Sequence, residues 1–110
     1  MGKAVVGEIV VLLFPQTDLQ AGKRRPALVV GSPRGPDLIL CQITSQRHKD
    51  PYAVPLTRAD FVRCKFAVEG FVLANRVITV PKAVILYTAG KIKPSKLNEV
   101  RAKLRALFRT

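Results

Sequence analysis

The fold prediction starts from the stretch KRRPALVV, residues 23–30. Three cations and a proline lead into the apolar residues ALVV, a pattern typical of a buried strand. The turn-rich segment 31–37 closes this run, and another apolar run, residues 9–14, comes before it. Pro15 ends the earlier run, because proline has no N–H to donate to a ladder. We therefore predict a pair of strands, joined by a polar loop over residues 16–25 that includes the three cations.

Residues 38–44 alternate with a period of two, which predicts a third strand. One face carries Leu38, Leu40, Gln42 and Thr44, and the other carries Ile39, Cys41 and Ile43. The first face becomes polar toward its C-terminal end. We therefore expect Gln42 and Thr44 at a rim of the sheet.

Shorter apolar runs follow along the chain. Pro55 limits residues 53–56 to a short edge strand, because a central strand would need its N–H. The remaining expectations are irregular structure over 57–70, a strand-like stretch over 71–80 that is interrupted at Asn75 and Arg76, and a further apolar run over 84–87.

The C-terminal segment predicts an amphipathic helix. Its apolar stripe consists of Leu97, Val100, Leu104, Leu107 and Phe108. Either Pro94 in the first turn or Ser95 as N-cap marks the start. Short strands followed by one packing helix predict a mainly β (α+β) fold, built as a small barrel or rolled sheet. We expect residues 1–110 to form this fold as one domain.

The charge balance narrows the function classes. The 110 residues include 19 Lys and Arg against 7 Asp and Glu, which gives a net charge of +12. This charge is larger than a small domain needs to stay soluble. The excess predicts a polyanionic partner, either nucleic acid or an acidic protein. Residues 91–110 hold seven basic and one acidic residue, half of the net charge. That segment fits a solvated face and a polyanion contact equally well.

Cysteine usage and hydropathy indicate the compartment. Cys41 and Cys64 are too few for a disulfide framework, so we expect two free thiols that pack as small apolar groups in a reducing cytoplasm. The longest apolar run, residues 9–14, is far shorter than a bilayer span, and no membrane contact is expected.

The side chains that could carry chemistry are basic and hydroxylic. His48 is the one histidine, in a hydrophilic loop where exposure is the favoured interpretation, so we expect no metal site and no cofactor. An arginine such as Arg25 binds phosphate oxygens bidentately, and Thr44 offers a hydroxyl donor. Together they could hold a phosphodiester and stabilise its transition state. The alternative, a solvated turn and a β-forming threonine, stays open on these residues alone.

Several motifs occur in a characteristic order along the chain: GEIV (7–10), FPQTD (14–18), GKRRPALVV (22–30), ITSQ (43–46), VITV (77–80) and GKIKP (90–94). This order resembles the MazF/PemK family of toxins over nearly the whole chain. The resemblance implies a small SH3-like barrel of the CcdB/PemK type, with a C-terminal helix packed on it. It also implies a homodimer that a small acidic antitoxin neutralises, with DNA contacted only through the antitoxin complex.

The resemblance further implies a growth-inhibiting mRNA interferase, a sequence-specific endoribonuclease that cleaves single-stranded RNA without a metal. The ribose 2′-OH attacks the adjacent phosphate and leaves a 2′,3′-cyclic phosphate and a 5′-OH, so the substrate must be RNA. By their match to the family motifs, Arg25 and Thr44 are the expected catalytic residues. RNA contacts are expected from Gln16, Thr17, Lys23, Arg24, Ser45, Gln46 and Arg76.

Residues 72–76, VLANR, depart from the family pattern, since many members carry an arginine or an acidic residue there. Asn75 cannot take a proton at neutral pH, and Arg76 offers a cation instead. Two alternatives to the enzyme remain. A nucleic-acid-binding barrel usually presents stacking aromatics, which are scarce here at 6%. A gyrase-poisoning toxin of the same fold would act through a protein contact, and Arg25 and Thr44 would be incidental.

Overall fold

A computed structural model describes residues 4–14, 23–46, 50–65 and 68–109. Within these ranges the elements are β1 (Glu8–Phe14), β2 (Lys23–Gly31), β3 (Asp37–Thr44), β4 (Ala53–Leu56), β5 (Phe61–Cys64), β6 (Gly70–Pro81), β7 (Ile85–Ile92) and α1 (Pro94–Leu107). The strands form one curled antiparallel sheet in the order β4-β6-β3-β2-β1-β7-β5. The predicted mainly β fold with a C-terminal helix is confirmed.

The sheet buries apolar side chains on both of its faces. In β1, Ile9 and Val11 enter one core cluster, whereas Val10 and Leu12 enter the other. Val100 of α1 belongs to the first cluster, so the helix covers that face. Because successive residues of a strand point to opposite faces, burial on both sides requires a continuous apolar run rather than an alternating one.

β2 begins earlier than the sequence predicts. Residues 23–25 pair with residues 12–14 of β1, so the three cations lie on a strand and not in the preceding loop. Pro26 also lies within the strand, opposite Val11. The prediction was wrong because pairing with a distant strand, rather than local polarity, determines whether these residues are extended.

The segment 57–70 is more regular than predicted. A 3₁₀ turn, Arg58–Asp60, leads into β5, which pairs with β7 at one edge of the sheet. Within β5 only Phe61 is buried, so the strand has no apolar periodicity to reveal it. The apolar run 84–87 similarly overlaps the start of a longer strand, β7. β4 lies at the other edge, as Pro55 indicates.

The helix α1 begins at Pro94 with Lys93 as its N-cap, so Ser95 is not the cap. Proline suits the first helical position, because the N–H that it lacks would have no partner within the helix. Val100 is fully buried, but Phe108 follows the end of the helix and is 76% exposed. The predicted apolar stripe is therefore wrong at its C-terminal residue.

Both cysteines are free thiols. Cys41 is buried in the core, and burial raises the pKa of its thiol from 9.0 to about 12, because an apolar environment disfavours the thiolate. Cys41 therefore packs as a neutral apolar side chain. In the described part of the chain, no helix has the length and apolar character needed to cross a membrane.

Candidate functional site

The register between β2 and β3 brings Arg25 and Thr44 together. Ala27 pairs with Gln42, and the same register continued by two residues sets Arg25 across from Thr44. Residues two apart on a strand share a face. The two predicted catalytic side chains therefore project from the same side of the sheet. They are neighbours in space although most of β2 and β3 separates them along the chain.

A small cavity of about 170 Å³ contains this pair. It is lined by Arg25, Pro26, Gln42, Ile43, Thr44, Gln46, Leu73 and Arg76. Guanidinium, hydroxyl and amide groups thus face a common space. Such a donor set suits an anion with several oxygen acceptors, because guanidinium binds phosphate oxygens bidentately and a hydroxyl adds a further hydrogen bond.

A second cavity of about 560 Å³ adjoins the first and shares five of its lining residues. It is lined by Lys23, Arg24, Arg25, Pro26, Ile43, Thr44, Ser45, Gln46 and Glu69. We call the two cavities together the basic cleft. The salt bridges among the described residues involve none of its lysines or arginines. These cations are therefore left to attract a polyanion.

Thr44 is held in place by a local hydrogen bond. Its Oγ1 accepts the backbone N–H of Gln46 at 3.2 Å. A hydroxyl that accepts in this way keeps its own proton for donation. The bond therefore orients the Thr44 hydroxyl while leaving it able to donate to an oxygen in the cleft.

Arg76 reaches the cleft because of an irregularity in β6. The register between β3 and β6 shifts at this point: one residue of β3, Gln42, separates Cys41 from Ile43, but four residues of β6, 73–76, separate their partners Val77 and Val72. Such a bulge changes the direction of the side chains that it contains. Leu73 and Arg76 both line the smaller cavity. The bulge also accounts for the interruption that the sequence shows at this point.

Asn75 makes a different contact, next to the cleft. Its Nδ2 donates to Oδ2 of Asp50 at 2.7 Å, and Oδ1 of Asp50 accepts the backbone N–H of Tyr52 at 2.8 Å. Neither Asn75 nor Asp50 is among the described residues that line the basic cleft. The amide that departs from the family pattern therefore fastens the β6 bulge to the segment before β4.

The predicted site residues that the structure describes all line the basic cleft: Lys23, Arg24, Arg25, Thr44, Ser45, Gln46 and Arg76. Gln16, Thr17 and His48 lie outside the described residues. Sequence reasoning missed Leu73 and Glu69, which no motif marks, whereas the alternation of β3 already set Gln42 on the face of Thr44. Within the described ranges, no three His, Cys, Asp or Glu residues group as a metal site would require.

The basic C-terminal segment lies apart from the cleft, and some of its charges have structural partners. Arg101 donates to the carbonyl oxygen of Val30 at 3.2 Å. Lys96 lies 3.0 Å from a carboxylate oxygen of Glu99 and 3.7 Å from one of Asp60. These contacts favour a structural role for Arg101 and Lys96 of α1.

A larger groove of about 850 Å³ runs along β7, away from the predicted site residues. Arg63, Lys65, Leu86 and Tyr87 contribute to its lining. Leu86 and Tyr87 are 45% and 39% exposed. Exposed apolar side chains beside cations are typical of a surface that contacts another protein.

The curled antiparallel sheet, the C-terminal helix and the cleft define a small basic β-barrel protein with a site suited to phosphate oxygens. More specifically, the chain belongs to the PemK-like, MazF-like toxins of type II toxin–antitoxin systems, whose family model matches residues 6–108. The family resemblance seen in the motifs is thereby confirmed. No curated protein sequence gives a significant match.

Solved structures of related proteins share this fold. MazF in a MazE–MazF complex from Deinococcus radiodurans is 28% identical, with a TM-score of 0.81 over 100% of this chain and 99% of that one. An endoribonuclease in complex with its cognate antitoxin, from a mycobacterial species, is 19% identical, with a TM-score of 0.76 over 96% and 95% of the two chains. A mycobacterial endoribonuclease is 20% identical, with a TM-score of 0.75 over 99% and 94%. The two mycobacterial proteins support the fold alone.

Proposed function

We propose that residues 1–110 form a single toxin domain that acts in the cytoplasm as an mRNA interferase, a sequence-specific and metal-independent endoribonuclease of single-stranded RNA. The observation that carries the proposal is the cavity that Arg25 and Thr44 share. It is supported by membership of a toxin family.

In the proposed reaction, the ribose 2′-OH attacks the adjacent phosphorus. Arg25 binds non-bridging oxygens and stabilises the negative charge that develops in the pentacoordinate transition state. The oriented hydroxyl of Thr44 donates to one of the same oxygens. The products are a 2′,3′-cyclic phosphate and a 5′-OH. Deoxyribose lacks the nucleophile, so DNA is not cleaved.

The rest of the basic cleft binds the RNA strand in this proposal. Cations attract phosphates without regard to sequence, whereas amides and hydroxyls can read base edges. The described residues proposed for these contacts are Lys23, Arg24, Ser45, Gln46 and Arg76. Gln16 and Thr17 are proposed from the sequence alone.

The proposed partners are an acidic antitoxin and a second copy of this chain. The net charge of +12 favours an acidic protein partner. The similar Deinococcus radiodurans protein is in a MazE–MazF complex. DNA is proposed to be contacted only through the antitoxin complex.

The direct test is cleavage of labelled single-stranded RNA by the purified protein in excess chelator, with the ends of the products mapped. We expect products with 5′-OH ends. Removing one preorganised transition-state donor typically lowers the rate by about 10²–10³-fold. Arg25→Ala and Thr44→Ala should therefore each lose at least this much activity.

Two matched variants control for general effects. Arg34→Ala removes the same charge from an exposed position in the turn between β2 and β3, and Thr79→Ala removes a hydroxyl from a position of β6 outside the cleft. Neither residue lines the basic cleft, so both should cleave normally. Salt-sensitive RNA binding without cleavage would instead support a binding module. Growth arrest with intact RNA and stalled replication would support the gyrase-poisoning alternative.

A further inference from the structure

The basic cleft contains a carboxylate. Of the described residues that line its two cavities, Glu69 alone is acidic, and it faces the same space as Lys23, Arg24 and Arg25. A carboxylate at this place repels the phosphates of a polyanion, so it weakens the electrostatic attraction that the cations provide. Its position therefore points to a task other than binding the RNA backbone.

The backbone beside Glu69 is pressed against Thr44. Gly70 has φ +150°, and a Cβ at this position would overlap the carbonyl oxygen of Thr44. In the register of the sheet, Phe71 pairs with Thr44. Only glycine permits this close approach. The contact therefore places Glu69 next to the residue that is proposed to donate to the phosphate.

The carboxylate of Glu69 is anchored through one oxygen. Its Oε2 accepts the backbone N–H of Arg58 at 3.2 Å. In the described part of the chain it forms no salt bridge and accepts no other hydrogen bond, so Oε1 is left to accept a proton donor from a ligand. An anchored carboxylate with a second accepting oxygen has the geometry of a proton acceptor.

The proposed cleavage reaction needs such an acceptor, because the 2′-OH must lose its proton as it attacks. Arginine and lysine side chains supply hydrogen-bond donors and no acceptor, and neutral hydroxyl and amide side chains are very weak bases. Of the described lining residues, Glu69 alone carries a carboxylate, which is a proton acceptor. We infer that Glu69 is the general base of this endoribonuclease, an inference that rests on the function proposed above.

The proton and bond changes of this step balance. The carboxylate of Glu69 takes the proton of the 2′-OH while the bond between the 2′-oxygen and phosphorus forms. The bond between phosphorus and the 5′-oxygen breaks, and this oxygen takes a proton from water. Glu69 then gives its proton to the hydroxide that remains, which restores both the water and the carboxylate. Arg25 and Thr44 stabilise the phosphoryl oxygens during the transfer. A carboxylate, a guanidinium and a hydroxyl thus divide proton transfer and charge stabilisation among them.

The experiment measures single-turnover cleavage of labelled RNA by Glu69→Gln across a range of pH. Glutamine keeps an oxygen for the N–H of Arg58, so the fold should persist, which a thermal melt checks. We expect cleavage to fall by about 10²–10⁴-fold, the usual contribution of general acid–base catalysis. RNA binding should be unchanged or tighter, because a negative charge leaves the cleft.

The pH profile separates catalysis from a structural role. Wild-type cleavage should decline as the solution is acidified, because the base becomes protonated, and this decline should be absent from the residual activity of Glu69→Gln. Glu69→Asp keeps a carboxylate and should recover part of the activity together with the acidic decline. Glu99→Gln makes the same chemical change on α1, away from the cleft, and should match wild type.

Other results would overturn the inference. If Glu69→Gln cleaves within about threefold of wild type while Arg25→Ala is inactive, the proposed function stands and the role of Glu69 fails. That role fails equally if the acidic decline persists in Glu69→Gln and disappears in His48→Gln. If wild-type protein cleaves no RNA, the proposed function fails first and the inference fails with it.

Discussion

Replacing Gly70 with alanine tests whether the contact between β6 and Thr44 builds the cleft. A Cβ at position 70 would overlap the carbonyl oxygen of Thr44, and φ +150° is strained for any L-residue. Gly35 provides the matched control. It also has a positive φ, +98°, but nothing lies within 4 Å of the Cβ that alanine would add. The two variants therefore share backbone strain and differ in the steric overlap.

The magnitudes follow from this difference. Backbone strain of this kind amounts to about 1–3 kcal/mol in either variant. Overpacking against a fixed neighbour adds about 1–3 kcal/mol to Gly70→Ala alone. The effect of alanine on the unfolded chain is the same in both variants and cancels. For a domain of about 100 residues, 1 kcal/mol shifts Tm by about 4 °C, so Gly70→Ala should melt about 4–12 °C below Gly35→Ala.

Thermal melts and RNA cleavage together provide the assay. Gly35→Ala should retain full cleavage at a temperature where it is folded, because the turn between β2 and β3 is at the far end of the strands from the cleft. Gly70→Ala should lose cleavage even when folded, since Thr44 or Glu69 must move to admit the Cβ. Equal Tm values and equal cleavage for the two variants would refute the reasoning.

Two further predictions concern side chains outside the cleft. At pH 8 in native protein, a thiol reagent should label Cys64 and leave Cys41 unmodified, because burial raises the pKa of the Cys41 thiol to about 12 and shields it. Labelling of both thiols in folded protein would contradict this prediction. The pKa of the Cys41 thiol is higher in the folded protein than in the unfolded chain, so the contribution of the buried thiol to stability is complete below pH 9.0 and is lost as the pH rises above that value. Asn75→Asp should destabilise the fold by about 0.5–1 kcal/mol at pH 7, because the 2.7 Å hydrogen bond to Asp50 becomes a solvent-screened contact between two carboxylates. Denaturant melts should show this deficit shrinking as the pH falls, because protonation of either carboxyl allows a hydrogen bond between the two, and a deficit independent of pH would contradict the prediction.

Much of the fold could be predicted because its evidence is local. Continuous apolar runs predict buried strands, as in residues 9–14, and Pro55 marks an edge strand from its missing N–H alone. Errors arose where a distant partner decides the conformation. Residues 23–25 look like a charged loop, yet they extend because β1 pairs with them. β5 buries only Phe61 and leaves no periodic signal.

The sequence by itself determined the main apolar strands, the family and the candidate pair Arg25 and Thr44, because these follow from residue types and their order along the chain. Only the tertiary structure decided that the pair shares a cavity, that the β6 bulge adds Arg76, and that Glu69 joins them. The physical reason is that a cleft is made by strand register, which brings together side chains whose separation along the chain says nothing about their distance in space. For Glu69 that register depends on Gly70, where a missing Cβ lets two backbones meet.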